Sequence, residues 1–290
     1  MKKRKNDIYF TTEKECEIGI FLQEKNKEWT KSKIKSLLSH DMIIVDNKIV
    51  KRNDEIIKKG KKVTIRFSKI KNNPKDRRMN IIYEDYELIA VKKPSGLLSI
   101  ATIKEKEKTL YHLVSDYVKQ LDKKNKIFIV NRLDKDTSGI VLFSKSQSLK
   151  QKLQDNWNEY AIKREYYAII DGKLEKEIGT FKSYLKEDGN GIVHSTTNKN
   201  DGKLAITNYK KIKETGNFTS VNLVLQTGRK NQIRVHLSEN NTPILGDKKY
   251  GSIKNPFKRL ALHNHTLSIK HPYTGKILEF KYEIPKDLKI

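Results

Sequence analysis

Short apolar runs separated by strongly polar stretches set the pattern of this chain from residue 81 onward. Residues 127–130 and 140–143 are each the length of a buried strand and are dominated by β-branched side chains, with a polar nine-residue loop, 131–139, between them. Strands of this kind alternate with occasional helical stretches, among them an amphipathic, lysine-flanked segment near 149–158 whose Trp157 reads as core. No regular strand–helix alternation with glycine-rich turns is present, which argues against a doubly wound parallel sheet.

The first part of the chain has a different texture. Ile18, Phe21 and Leu22 recur at helical spacing behind Glu13, Glu15 and Glu17, and negative charge there suits a helix N-terminus. A second helix is expected from Thr30, as N-cap, to His40, with Ile34, Leu37 and Leu38 forming its apolar stripe. Lys31 and Lys35 lie one turn apart on its polar side, either as a solvated face or as a track for a phosphate backbone. Residues 43–45 and 48–50 flank Asp46 and Asn47 as a hairpin, and Gly60 precedes an alternating strand at 63–67. Residues 69–79 show no apolar period and carry five positive charges, which reads as a flexible linker. The expected organisation is a module at 12–68, a linker at 69–79 and a larger domain at 80–290.

Charge sharpens this picture. Lysine and arginine number 61 against 35 acidic residues, a formal net charge of +26, which points to a polyanionic partner and most economically to nucleic acid. Part of the lysine excess accompanies abundant Asn and Ile, as AT-rich coding produces. Residues 1–78 hold 23 basic and 11 acidic residues, so positive charge is densest in the first quarter, as expected of a nucleic-acid-binding module. The single cysteine, Cys16, excludes an internal disulfide and a Cys-based zinc cluster. No apolar run approaches the roughly 20 residues of a membrane span, and no apolar region follows the basic start as a secretory signal requires. A cytoplasmic protein is expected.

The loop at 131–139 carries Asp134, and a loop held at both ends by core strands can aim a carboxylate. Taken alone, the stretch reads equally as a polar strand connection whose Asp and Thr satisfy turn backbone. Four further segments join it in order. Residues 88–98 include Lys92, Lys93, Pro94 and Gly96, where proline fixes φ and glycine lets the chain reverse, and where either lysine could touch phosphate. Residues 164–172 include Tyr166 in a strand pattern, residues 226–236 include Arg229, Lys230, Gln232, Ile233 and Arg234, and residues 259–275 include His263 and His271. These five segments together resemble the RluA-type pseudouridine synthases, whose catalytic motif is an arginine-leucine-aspartate followed two residues later by threonine-serine-glycine; here Arg132, Leu133 and Asp134 lead to Thr137, Ser138 and Gly139. Residues 12–68 resemble the alpha-L RNA-binding domain of a ribosomal protein and of many RNA-modifying enzymes.

The resemblance implies an α+β protein: a mixed, mostly antiparallel central sheet with flanking helices and a basic cleft, plus a small α+β RNA-binding domain at the N-terminus. It implies an enzyme that converts uridines of structured RNA to pseudouridine, with Asp134 as catalytic carboxylate, Arg234 beside it and Tyr166 in the active site. Arg132, Leu133, Thr137, Arg229, Lys230 and Ile233, with Lys31 and Lys35 of the first module, are expected to meet the RNA or seal the pocket. Whether Asp134 attacks the ribose or removes a sugar proton stays open. Ribosomal large-subunit RNA is the expected substrate, with transfer RNA as the other possibility, and a monomer without cofactor or metal is expected. His263, His265 and His271 lack the spacing of a zinc set, and Lys135 between Asp134 and Asp136 opposes a divalent cation. Two positions depart from the family: Asn131 and Asn231 stand where it usually has histidine, so they keep a hydrogen bond without titrating near neutrality. The competing readings are a non-catalytic RNA-binding or ribosome-assembly factor on the same scaffold, and a nucleosidase or nuclease using Asp134 and Asp136.

Overall fold

The structure is a computed structural model, and it describes residues 8–39, 42–46, 48–65, 80–102 and 105–290. The linker expected at 69–79 lies outside the described residues, as do His40, Asn47, Arg66 and Phe67 at the ends of expected elements. The described chain divides into two compact units, 8–65 with 84–88, and 80–83 with 89–290.

The first unit runs β1 (Ile8–Thr11), β2 (Cys16–Glu17), α1 (Ile18–Lys25), α2 (Lys31–Ser39), β3 (Ile43–Val45), β4 (Lys48–Ile49), β5 (Ile56–Ile57) and β6 (Lys62–Ile65). Its main sheet has the order β1-β6-β3-β4, and β2 pairs with β5. Both helices form where the apolar spacing places them. Ile18, Phe21 and Leu22 of α1 and Ile34, Leu37 and Leu38 of α2 are buried with Ile43, Val63 and Ile65, each such side chain contributing about 1.5–3 kcal/mol. Thr30 caps α2, its Oγ1 accepting from the Lys33 amide at 3.2 Å. The acids expected to favour α1 lie ahead of it: no acidic residue occupies its first turn, and Glu17 at the N-cap makes no side-chain capping bond. Strand β1 lies before the expected module boundary; its residues are mostly exposed, so no apolar alternation announces it.

The second unit continues with β7 (Ile81–Glu84), β8 (Leu88–Lys93), α3 (Leu110–Leu121), β9 (Phe128–Ile129), β10 (Ser138–Ser144), α4 (Gln147–Asp155), α5 (Trp157–Tyr160) and β11 (Lys163–Asp171). It ends with β12 (Ile178–Glu187), β13 (Val193–Thr196), β14 (Lys203–Thr215), β15 (Phe218–Leu225), α6 (Gln232–Glu239), β16 (Leu262–Lys270) and β17 (Ile277–Lys281). Nine strands follow the order β13-β12-β14-β15-β11-β16-β10-β8-β7, with β17 on β16 and β9 on β10. The β10–β16 pair is parallel, while β11, β12, β14 and β15 pair antiparallel, so the sheet is mixed and mostly antiparallel as expected.

All seven residues of β10 are buried, which accounts for its unbroken apolar run. Its parallel partner approaches so closely that a Cβ on Gly139 would stand 2.5 Å from the Asn264 Cβ, and Gly139 also has φ +148°. Only glycine fits there. Thr109 caps α3, accepting from the His112 amide at 3.1 Å, and Leu110, Val114 and Val118 pack with Ile89, Val91, Val141 and Phe143. Ile233 and Leu237 of α6 join the other large core with Ala168, Ile170, Val221 and Leu223.

Candidate active site

The loop 131–139 is tied down on several sides. Asn131 accepts from the Leu142 amide at 2.7 Å and donates to the Ile140 carbonyl at 3.3 Å, closing the base of the loop. The turn after β8 clamps its middle. Ser99 Oγ donates to the Leu133 carbonyl at 2.7 Å and accepts from the Leu133 amide at 3.1 Å, while Ser95 Oγ donates to the Asp136 carbonyl at 2.6 Å. The Gly96 amide and Lys93 Nζ both donate to the Lys135 carbonyl, at 3.0 and 2.8 Å. Lys93 Nζ also donates to the carbonyls of Leu97 at 2.6 Å and Pro94 at 3.1 Å. The far end is anchored by Ser138, whose Oγ accepts from Arg259 and meets His263 Nδ1 at 2.8 Å.

Lys93 therefore does not face phosphate, one of the two options its motif offered. It is wholly buried among backbone carbonyls, and burial pulls its pKa down to about 8 despite the carboxylates of Asp136 and Asp134.

Asp134 emerges from this clamp half-buried. Its Oδ2 accepts from Asn231 Nδ2 at 2.6 Å and from Arg234 Nη1 at 3.4 Å. The stronger partner of Arg234 is another carboxylate: Nε and Nη2 donate to Asp247 Oδ2 and Oδ1 at 2.7 and 2.6 Å, a bidentate pair with Asp247 buried. Burial alone would lower the Arg234 pKa, but its bonds and charge contacts with Asp247, then Asp134, hold it above the ordinary value. The guanidinium carbon also lies 4.9 Å from the centroid of the Tyr250 ring.

Asn231 holds the other side of the carboxylate. Tyr250 donates its hydroxyl proton to Asn231 Oδ1 at 3.1 Å and accepts from the Val193 amide at 3.2 Å, so the amide nitrogen of Asn231 is the end turned to Asp134. Asn231 precedes α6 with φ +54°, a left-handed conformation that asparagine adopts more readily than most residues. Asn231 thus presents a non-titrating donor to the carboxylate, whereas Asn131 closes the loop.

These groups line a cavity of about 860 Å³. Tyr166, on β11, lines it with its ring against both large cores. Burial raises its phenol to about 12, Arg164 opposing and Asp134 assisting, so the group is a protonated donor near neutrality. Seven basic side chains line the cavity against two carboxylates, Asp134 and Asp136, which makes it electropositive.

Of the other residues singled out from sequence, Arg132, Leu133, Thr137, Arg229, Lys230 and Ile233 all line this cavity. Leu133, Thr137 and Ile233 are buried in its wall, and Arg132 is exposed. Arg229 is half-buried, its Nε donating to the Leu204 carbonyl at 2.9 Å, and Lys230 pairs with Glu187. Lys31 and Lys35 lie exposed on α2 of the first unit.

Sequence reasoning missed Trp157, Arg164, Lys249 and the direct contact of Asn231. Trp157, expected in the core, is half-buried and lines the cavity, because Asn156 breaks the expected helix into α4 and α5. Arg164 had a visible signal, a cation two positions before Tyr166 on the same strand face. The His263 ring nitrogens meet Ser138 Oγ and the Tyr282 carbonyl, and those of His265 meet Thr266 and Asn222. Among the described residues no cluster of three or more His, Cys, Asp or Glu side chains is placed to hold a metal, and no helix is long and apolar enough to cross a membrane.

Comparison with known proteins gives the same direction. Among solved structures, the human RNA pseudouridylate synthase domain containing 4 superposes with a TM-score of 0.60 over 72% of this chain and 90% of that one, at 21% identity, a likeness of fold. The chain is 30% identical to an uncharacterized RNA pseudouridine synthase, YlyB, of Bacillus subtilis over 97% of its own length and 95% of the relative's. It is 33% identical to the ribosomal large subunit pseudouridine synthase D of Borreliella burgdorferi over 71% of this chain and 67% of that protein. The family model described as RNA pseudouridylate synthase matches residues 87–239, which span the clamp, Asp134, Tyr166, Asn231 and Arg234. With more than half the chain matched and the sheet shared, the chain belongs to the RluA-type RNA pseudouridine synthase family.

Proposed function

We propose that this enzyme isomerises specific uridines of structured RNA, chiefly large-subunit ribosomal RNA, to pseudouridine, with Asp134 as the catalytic carboxylate. The observation that carries the reading is Asp134 itself: a carboxylate on a clamped loop, held by Asn231 and Arg234, lining an electropositive cavity. The reaction breaks the N1–C1′ bond, turns the base and rejoins it through C5, with no net redox change. Asp134 acts at the sugar, either by bonding to it or by taking a proton from it. Its negative charge is kept in place by two donors fixed from behind, Asn231 by Tyr250 and Arg234 by Asp247.

The target base leaves its stack to enter the cavity, at a cost of a few kcal/mol. Tyr166 packs against the extruded base, a stacking contact worth about 1–3 kcal/mol, and as a protonated phenol it serves a late proton transfer. Leu133 and Ile233 exclude water. The module expected at 12–68, with Lys31 and Lys35 on its surface, adds RNA affinity in the manner of an alpha-L domain, and the enzyme works as a cytoplasmic monomer. The relatives named for the ribosomal large subunit favour ribosomal over transfer RNA.

The test is pseudouridine mapping of total ribosomal and transfer RNA from cells with and without the protein, repeated with Asp134→Asn. One or a few sites should lose modification in both the deleted and the substituted cells, while purified Asp134→Asn binds the same RNA within about twofold of wild type. Unchanged maps, or full conversion by the substituted protein, would remove the reading.

A further inference from the structure

Arg164 is the unexplained charge of this cavity. Its residue is 6% exposed, yet among the described residues no carboxylate pairs with it. Nη2 donates to the Gln226 carbonyl at 2.7 Å and reaches Asn158 Oδ1 only at 3.4 Å, while Nε and Nη1 are buried with no acceptor among the described residues. Burying an unpaired guanidinium is unfavourable, and each buried N–H without an acceptor adds to that cost. The burial shows in a pKa lowered from the ordinary arginine value. A buried polar group left unsatisfied in this way calls for a functional explanation.

The surroundings say where an acceptor would come from. Arg164 and Tyr166 project from the same face of β11, two residues apart, and both line the cavity that holds Asp134. Gly228 lines it too. A Cβ on Gly228 would lie 3.1 Å from Nη1, so the cavity wall passes directly beside the guanidinium without a side chain between them. Arg132, Lys135 and Lys249 are exposed on the same cavity and are the groups available to phosphates. Arg164 sits behind them, beside the tyrosine proposed to carry the base.

We infer that Arg164 is a catalytic residue whose guanidinium meets the uracil ring and stabilises the negative charge the ring acquires when its bond to the sugar breaks. The inference rests on the pseudouridine-forming reaction proposed above, and it holds for either role of Asp134. The bonding pair of N1–C1′ departs with the base and spreads over N1, O2 and O4. C5 of the turned base then bonds to C1′ and neutralises the ring; the C5 proton leaves to a base while N1 takes up a proton, which restores the aromatic ring with an N1–H. Arg164 gives and takes no proton. It supplies preorganised positive charge where anionic charge develops, in a place closed to water.

The experiment uses the full-length protein and an unmodified transcript carrying the uridine that mapping identifies. Single-turnover rate at saturating protein, RNA affinity across a salt series, and melting temperature are measured for wild type, Arg164→Gln and Arg164→Lys. Arg164→Gln should lose about 10²–10³-fold in rate, the range for removing one preorganised donor, with RNA affinity within about twofold. Arg164→Lys should recover part of the rate. A wild-type rate in Arg164→Gln overturns the inference. So does a loss confined to affinity with a shallower salt slope, which marks a phosphate ligand, or a rate loss that tracks melting temperature and is not rescued by lysine. Absence of pseudouridine with wild-type protein would instead sink the proposed function.

Discussion

At the scale of single residues, the site is a chain of fixed partners ending in the carboxylate of Asp134. Asp247 takes the fork of Arg234, Tyr250 fixes Asn231, and Arg234 and Asn231 then share Oδ2 of Asp134. The buried Arg234–Asp247 pair has a testable signature. Asp247→Asn leaves a buried guanidinium facing only the half-exposed Asp134, and should cost about 3–5 kcal/mol in urea unfolding, together with activity. The double variant Arg234→Met with Asp247→Leu removes both charges and should be clearly more stable than Asp247→Asn, though inactive. Equal losses would show that the two side chains do not depend on each other as charges.

At the scale of elements, the clamp between the turn at 93–99 and the loop at 131–139 joins two stretches that the chain separates by more than thirty residues. Lys93 is its centre, three carbonyls around one ammonium, matching the three donors of a lysine. Lys93→Met should loosen the loop and lower the rate while leaving RNA affinity nearly unchanged.

The same lysine has a pH signature. Its folded pKa, about 8, lies below the 10.5 of the free side chain, so between these values the unfolded chain binds the extra proton. Stability from this group therefore rises with pH across that window and is lowest below pH 8, where the buried amine is charged. Melting temperature followed from pH 8 to 10.5 should climb in wild type relative to Lys93→Met. A constant difference between the two proteins would refute the assignment.

At the scale of the whole molecule, a formal charge of +26 makes RNA binding a salt-dependent equilibrium. Exposed lysines contribute to that slope without touching chemistry. Lys31→Ala with Lys35→Ala, both on the surface of α2, should weaken binding to different RNAs alike, reduce the slope of log affinity against log salt by about 1–2, and leave the single-turnover rate at saturation unchanged. A lower rate at saturating protein would place these lysines in a different role.

Much of this was legible along the chain. The β-branched runs at 127–130 and 140–143, the polar loop between them, and the stripes of α1 and α2 follow from period and length, since a side chain's face is set by its position in a helix or strand. Linear motifs brought Asp134, Tyr166 and Arg234 to one cavity on paper, and the folded chain places them there. What period and motif could not supply is the choice among partners. Arg234 could have given its fork to Asp134 or Asp247, Lys93 could have pointed to solvent or inward, and Trp157 to the core or the cavity. Those outcomes depend on segments tens of residues apart meeting in a low-dielectric interior, where each buried donor must find an acceptor or go without. Arg164, whose Nε and Nη1 find no acceptor among the described residues, is the case that only the tertiary structure decided.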